Sequence, residues 1–117
     1  MSYTSTVAIR CETQVAQKIK QVIAPMQELL PLAILQEDST TLFYWENQKW
    51  YRNDPYYEWV EAIHDILKEA DLHEEEPDWG YYYVRLGESF EDIERETNDY
   101  ELEIPLSLTI PDGIPKN

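Results

Sequence analysis

Carboxylate side chains are concentrated in two short segments, and carboxylates can bind hard metal ions or act as acids and bases. The segments are residues 71–78, with the sequence DLHEEEPD, and residues 88–94. The first segment lacks the central glycine and the spaced terminal glutamate of a calcium-binding loop. No second histidine lies at zinc-ligand spacing from His64 or His73. We therefore expect no metal and no other cofactor.

Few residues could serve as a nucleophile or a general base. Cys11 is in phase with Val7 and Ile9, so we expect its thiol to pack as a small apolar side chain. His64 borders the apolar stripe of a predicted helix. His73 lies among acids, and its neighbours in the sequence indicate no substrate for it. The glycines form neither a phosphate loop nor a dinucleotide-binding motif. The sequence predicts a protein without catalytic residues, and a metal-dependent or small-ligand enzyme that uses the carboxylates is one alternative.

Charge is distributed unevenly along the chain. The 117 residues include 24 acidic and 9 basic side chains, which give a net charge of -15. Residues 1–35 have a net charge of +1, whereas residues 36–117 have a net charge of -16. A field of this sign repels DNA, RNA and anionic lipid, which argues against direct nucleic-acid or membrane binding. The partner that it attracts is a basic protein.

Hydrophobic periodicity predicts the elements that hold these acids in place. Alternation over residues 6–11 predicts a first strand, with a helix after it that Thr13 caps and Pro25 ends. Two further strands are predicted over residues 32–36 and 41–51, because the first is apolar and the second is rich in aromatic residues.

A second helix is predicted over residues 54–70. Asp54 is placed to cap it, Pro55 occupies its first position, and apolar residues from Tyr56 to Ala70 form one stripe. Its outer face carries Glu58, Glu61, Asp65 and Glu69. Two pairs in this set are like charges four residues apart, and each costs about 0.2 to 0.5 kcal/mol. Stability alone does not account for such a face.

The remaining segments complete the predicted fold. Residues 81–86 predict a strand, Ser89 and Asp92 resemble the capping box of a short helix, and alternation over residues 100–110 predicts a last strand. We therefore expect one acidic α+β domain over residues 1–117, with a ferredoxin-like βαββαβ core. Its sheet is predicted to be mainly antiparallel with both helices on one face, followed by the short helix and the C-terminal strand.

Aromatic residues suggest a second kind of contact. Adjacent rings at residues 43–45 and 81–83 must point to opposite faces of a sheet. If the helices cover one face, the other face presents aromatic rings to a partner or to a second copy of the chain. We expect Trp50, Trp79 and Tyr82 to make such contacts, and a homodimerising module that uses this face is a further alternative.

The sequence also limits the compartment. Cys11 is the single cysteine, which fits a reducing environment. Residues 1–11 lack the basic and apolar regions of a secretory signal, and the longest apolar stretch is too short to cross a bilayer. We expect a cytoplasmic protein.

Two parts of the chain resemble a pattern in short uncharacterised proteins of phages and mobile elements. They are YWENQKWY at residues 44–51 and, after the second helix, YVRLGE at residues 83–88 with DIE at residues 92–94. The resemblance implies a small accessory protein, such as a counter-defence inhibitor of the anti-CRISPR kind. It assigns no functional residues.

Acids that a fold holds at fixed positions can imitate the phosphates of a duplex and occupy a basic groove. The sequence therefore suggests a non-enzymatic inhibitor that binds a basic, nucleic-acid-handling protein. The alternative is that the acidity serves solubility only. The acids expected to contact the partner are Glu58, Glu61, Asp65, Glu69, Glu74, Glu75, Asp78, Glu91 and Glu94.

Overall fold

The computed structural model describes residues 4–26, 33–37, 39–52, 54–87 and 91–104, which form five strands and two α-helices. The strands are β1 (Ser5–Glu12), β2 (Ala33–Glu37), β3 (Thr40–Gln48), β4 (Tyr81–Leu86) and β5 (Ile93–Thr97). The helices are α1 (Thr13–Ile23) and α2 (Glu58–Asp71), with 3-10 turns at Pro55–Tyr57 and Tyr100–Leu102. Within these ranges, no helix has the length and apolar character that crossing a membrane requires.

The five strands form one antiparallel sheet in the order β2-β3-β1-β4-β5. β1 lies at the centre, where Ile9 is opposite Phe43 of β3 on one side and Tyr83 of β4 on the other. The predicted α+β class and the antiparallel sheet are confirmed. The sheet is larger than a four-stranded βαββαβ core, because β5 is added beside β4.

Both helices pack on the same face of the sheet. Val7 and Ile9 of β1 share one core with Ile19 of α1 and Ile63 of α2, and all four side chains are fully buried. Alternation along β1 placed Val7 and Ile9 on this face, as predicted. Burial of this apolar face therefore orients α2 and leaves its opposite side to solvent.

The second face of the sheet carries a smaller core. Tyr44 of β3 and Tyr82 of β4 lie there with Val84, and they pack with Leu102 and Ile104 from the segment that follows β5. The expectation of an uncovered aromatic sheet face is therefore wrong. A later segment of the chain, which contains Leu102 and Ile104, returns across this face and covers the rings.

The starts of the two helices differ in detail from the prediction. Glu12, and not Thr13, occupies the N-cap position of α1. The Asp54 carboxylate does accept a hydrogen bond from the Tyr56 amide at 2.9 Å, but Pro55 begins a 3-10 turn and the α-helix begins at Glu58. Tyr56 is consequently 89% exposed and does not join the apolar stripe.

The two elements predicted after β4 are not formed as expected. Residues 93–97, which include Glu94 of the predicted short helix, are strand β5, and Ser89 lies outside the described residues. Tyr100–Leu102 is a 3-10 turn, because the Asp99 carboxylate accepts a hydrogen bond from the Glu101 amide at 3.0 Å. Residues 103 and 104 are irregular, and residues 105–110 of the predicted strand lie outside the described residues.

Gly80 lies against the carboxylate of Glu12, so a side chain at this position would displace that carboxylate. Its amide donates to the Glu12 carboxylate at 2.8 Å, and a Cβ built there would lie 2.4 Å from the same oxygen. We expect Gly80→Ala to lower the free energy of unfolding by about 1 to 2 kcal/mol, because the carboxylate must move and give up this hydrogen bond. Urea denaturation would measure the loss. The loss should shrink in a Glu12→Ala background, and an equal loss there would contradict the explanation.

Candidate binding surface

The outward side of α2 is a line of carboxylates, which we call the acidic helix face: Glu58, Glu61, Asp65 and Glu69. The opposite side of the helix is buried, so these four positions are directed away from the core. At 1.5 Å of rise per residue, they extend over roughly 17 Å, which is one carboxylate per roughly 5.5 Å. A single DNA strand carries one phosphate per about 3.4 Å of axis, so the acidic helix face has a similar but lower charge density.

Two basic side chains of the same chain partly neutralise this face. Arg52 Nε lies 3.9 Å from Glu61, and Lys18 Nζ lies 3.5 Å from Glu69. Glu58 and Asp65 are exposed and form no ion pair with any residue that the structure describes. A shallow depression lies along the N-terminal part of α2, and it is lined by Asp54, Pro55, Glu58, Glu61, Ala62 and Asp65. Glu58 and Asp65 are therefore the two carboxylates of the acidic helix face that lack a cationic partner among the described residues.

The spacing on this face predicts a stability effect. Asp65 lies four residues from both Glu61 and Glu69, so Asp65→Lys replaces two repulsive pairs by two attractive ones. We expect the free energy of unfolding to rise by about 1 to 2 kcal/mol, measurable as a higher melting temperature. Gln17, exposed on α1, provides a control, because Gln17→Lys makes a smaller charge change away from this face. If Asp65→Lys were destabilising, the carboxylates would not be repelling one another.

The loop after α2 continues the negative surface. Glu74 and Glu75 are exposed, and neither forms an ion pair within the described ranges. Asp78 is less exposed and has a left-handed backbone with φ of 72°, and its carbonyl oxygen accepts a hydrogen bond from the Gln14 amide at 2.9 Å. This bond ties the end of the acidic loop to the start of α1. The loop that carries Glu74 and Glu75 is thus anchored to α1 at its C-terminal end.

Trp79 lies beside the acidic loop and is partly exposed. The His73 ring stacks on it with 4.4 Å between centroids and an interplanar angle of 22°. Lys18 Nζ lies 5.8 Å from the centroid of the Trp79 ring, and the same ammonium group pairs with Glu69. Among the three aromatic residues expected to make contact, Trp79 is the one at the surface near the acids.

The other two aromatic residues are buried. Trp50 is 6% exposed and belongs to the core under the helices, and Tyr82 is 1% exposed in the core of the second face. The expectation that they present their rings to a partner is therefore wrong for this structure. A homodimer through the aromatic sheet face loses its contact surface for the same reason.

A buried histidine site was missed by the sequence reasoning, which placed His64 at the edge of the apolar stripe. His64 is 1% exposed, and its Nε2 accepts a hydrogen bond from Trp50 Nε1 at 3.0 Å. Its ring also packs edge-on against Tyr83 at 4.8 Å. Burial lowers the pKa of His64 to about 4, and the positive charge of Arg52 adds to this effect. The imidazole is therefore neutral at pH 7, and because Nε2 accepts, Nδ1 carries the proton.

Glu94 takes part in an internal ion-pair network. The Arg85 guanidinium is buried and donates to Asp92 at 2.6 Å, to Glu94 at 2.8 Å and to the Ser5 hydroxyl at 2.9 Å. Burial by itself raises the pKa of Glu94, but the hydrogen bond and charge of Arg85, with the Tyr83 hydroxyl, hold it below its usual value. Glu94 is therefore compensated within the fold, whereas Glu91 is exposed.

Groups suited to covalent or metal chemistry are constrained by their surroundings. Cys11 is fully buried, and burial raises the pKa of its thiol to about 12, so the reactive thiolate is not formed at neutral pH. In the part of the chain that the structure describes, no group of three histidine, cysteine or acidic side chains is arranged to hold a metal ion. The surface acids are the chemical feature that remains.

Comparison of the chain with protein-family models, with curated proteins and with solved structures found no match. Its function must be argued from its own residues. Those residues offer an acidic helix face, an adjoining acidic loop and one partly exposed tryptophan.

Proposed function

We propose that the protein is a non-enzymatic acidic interaction domain that binds the basic groove of a nucleic-acid-handling protein. The observation that carries the proposal is the row of carboxylates along α2 and its following loop. Glu58 and Asp65 have no cationic partner among the described residues, and Glu74 and Glu75 extend the same negative surface. A basic groove would supply the missing cations.

The rigid backbone beneath these acids supports imitation of a phosphate backbone. Helix α2 is anchored by fully buried Ile63 and Leu67, so its carboxylates keep their spacing when a partner approaches. Preorganised charges lose little conformational freedom on binding, and their field accelerates the encounter with a basic surface. Trp79 can then add a contact with a partner's apolar or cationic side chain.

Solubility alone is a weaker explanation of this surface. A protein that needs only solubility can disperse its acids, but here residues 1–35 have a net charge of +1 and residues 36–117 have -16. The repulsive spacing of Glu61, Asp65 and Glu69 also costs stability. A binding role gives a reason for both features.

We extend the proposal to the fold type and the biological setting. The order β4-β1-β3-β2 of the first four strands, with α1 and α2 on one face, supports a ferredoxin-like unit to which β5 is added. Inhibition of a host nuclease or another nucleic-acid-handling enzyme, as in phage counter-defence, would suit the acidic surface. The partner, and hence this protein, would then act in the cytoplasm.

The proposal is tested by competition with nucleic acid. Proteins retained from a host lysate at low salt by the immobilised chain would be challenged with duplex DNA, with RNA and with a neutral polymer as the control. We expect DNA or RNA to release the retained protein and the neutral polymer to leave it bound. Retention that neither nucleic acid disturbs would contradict binding in a nucleic-acid groove.

A further inference from the structure

Strand β5 is the last strand of the sheet, and no strand of the described residues pairs with its outer backbone edge, which we call the open edge. The Gly87 amide donates to the Asp92 carbonyl at 2.7 Å, and the Asn98 amide donates to the Tyr81 carbonyl at 3.3 Å. Along an antiparallel strand, residues that hydrogen-bond to the neighbouring strand alternate with residues that do not. The two bonds fix this alternation in β5, so the backbone amide and carbonyl groups of Glu94 and Glu96 face β4. The amide and carbonyl groups of Ile93, Arg95 and Thr97 therefore point outward and can pair with another strand.

A shallow depression lies against this open edge, lined by Asp71, Tyr81, Arg95, Glu96, Thr97 and Tyr100. We call it the β5 depression. The Asp71 carboxylate accepts a hydrogen bond from the Tyr81 hydroxyl at 3.0 Å, and Glu96 lies 3.7 Å from Arg52 Nη1. Two carboxylates thus border the β5 depression on the side of the sheet that carries α2, while the Arg95 guanidinium lies 6.0 Å from the Tyr82 ring on the opposite side.

The charges along β5 select the kind of strand that can be added. Residues 91–97 contain four acids and one base. In antiparallel pairing with a second copy, outward Ile93, Arg95 and Thr97 must pair among themselves, which places Glu94 opposite Glu94, Glu96 or Asn98 of the other copy. Like charges opposite one another destabilise a strand pair, so the edge disfavours its own copy. A strand with basic side chains would instead place opposite charges beside Glu94 and Glu96.

We propose that an extended basic segment of the partner adds to the sheet along β5 as a sixth strand, with one lysine or arginine side chain in the β5 depression. The inference rests on the proposed function, since it specifies how the basic partner is held. Backbone pairing with Ile93, Arg95 and Thr97 supplies the alignment. Asp71 supplies the charge that selects a basic side chain, and Glu96, which Arg52 neutralises in part, adds to it. Attraction by the acidic helix face would bring the partner close before this strand forms.

A peptide probe and two variants at one position test the proposal. The probe is a synthetic peptide of about eight residues that alternates lysine and valine, long enough for a strand. Arg95→Pro removes an outward amide and keeps the ladder with β4, because that amide does not face β4. Arg95→Ala makes the same change of charge and keeps the amide. We expect Arg95→Pro to weaken binding about tenfold and Arg95→Ala to leave it within about twofold, as measured by calorimetry.

The two variants separate strand addition from attraction by charge. Both make the protein more negative, so attraction alone would tighten the binding of the lysine peptide equally in both. Equal binding by the two variants would overturn the strand proposal while leaving the acidic surface in place. Absence of any peptide binding to the native chain at low salt would overturn both the strand proposal and the proposed function.

Amide hydrogen exchange on the native chain provides a measurement that does not depend on how the proline variant folds. With the lysine-valine peptide bound, the amides of Ile93, Arg95 and Thr97 should exchange more slowly, and those of the exposed α1 residues Gln17 and Gln21 should not change. Unchanged exchange at Ile93, Arg95 and Thr97 under saturating peptide would contradict the proposal. A peptide of the same sequence with alternate N-methylated residues should give no protection, because it cannot pair along the edge.

Discussion

Arg85→Leu is expected to lower the free energy of unfolding by about 2 to 3 kcal/mol. The substitution leaves Asp92 and Glu94 without the guanidinium that pairs with both, and the Ser5 hydroxyl loses its donor. The loss should be at or below the lower limit of the range for buried ion pairs, because the Asp92 and Glu94 side chains are 34% and 42% exposed and remain partly hydrated. Urea denaturation at neutral pH would measure it.

A triple variant separates the lost ion pairs from the lost packing of the arginine side chain. Arg85→Leu combined with Asp92→Asn and Glu94→Gln removes the uncompensated carboxylates, so we expect it to recover more than half of the stability that Arg85→Leu loses. If the triple variant were as unstable as the single one, the network would contribute through packing, and the electrostatic explanation of the β4-β5 hairpin would be wrong.

The free energy of unfolding should decrease as the pH is lowered from about 6.5 to about 4, because of His64. The folded protein holds the pKa of His64 at about 4, below the unfolded value near 6.5. Within this window the unfolded chain binds the proton more readily, so acid favours unfolding, and the contribution of His64 is fully present only above about pH 6.5. The total is roughly 3 kcal/mol. Arg52 and Lys68 strengthen the effect, and Glu61 and Glu94 oppose it.

His64→Gln is the matched variant for this prediction. Glutamine does not titrate, and its side-chain oxygen can accept the Trp50 hydrogen bond. Urea denaturation at several pH values should give a flatter pH dependence for His64→Gln than for the native chain, whatever the variant's stability at pH 7. The carboxylates, including Glu94 with its lowered pKa, act in both proteins, so the difference reports His64. Parallel curves would show that His64 is not held neutral by the fold.

Much of the fold could be predicted from local patterns, because burial is periodic where one face of an element is covered. Alternation identified β1 and its inward residues, and the helical stripe identified α2. The short helix predicted near Ser89 was a wrong choice between two local patterns. A capping-box spacing competed with cross-strand pairing, and the Arg85 contacts with Asp92 and Glu94 favour the hairpin.

In the candidate surface, the positions of the acids could be predicted from the sequence better than the exposure of the aromatic residues. Helical spacing placed the acids of α2 on the outer side, which follows from the buried stripe opposite them. Whether Trp50 and Tyr82 are exposed depends on what the rest of the chain packs against them, and local sequence does not carry that information. Tyr82 packs with Leu102 and Ile104, which arrive from a distant part of the sequence, and Trp50 is held by His64. Likewise, the ion pairs that neutralise Glu61, Glu69 and Glu94 are formed only in the folded chain.

The central claim, that the acidic helix face binds a basic groove, is tested most directly by the salt dependence of affinity in two matched variants. Glu58→Gln with Asp65→Asn removes two charges from the face, and Glu101→Gln with Glu103→Gln removes two exposed charges elsewhere. Affinity for the retained partner would be measured for both variants and the native chain over a range of salt concentrations. We predict weaker binding and a shallower salt dependence for the helix-face variant alone. Identical curves for the two variants, or binding that salt does not affect, would contradict the claim.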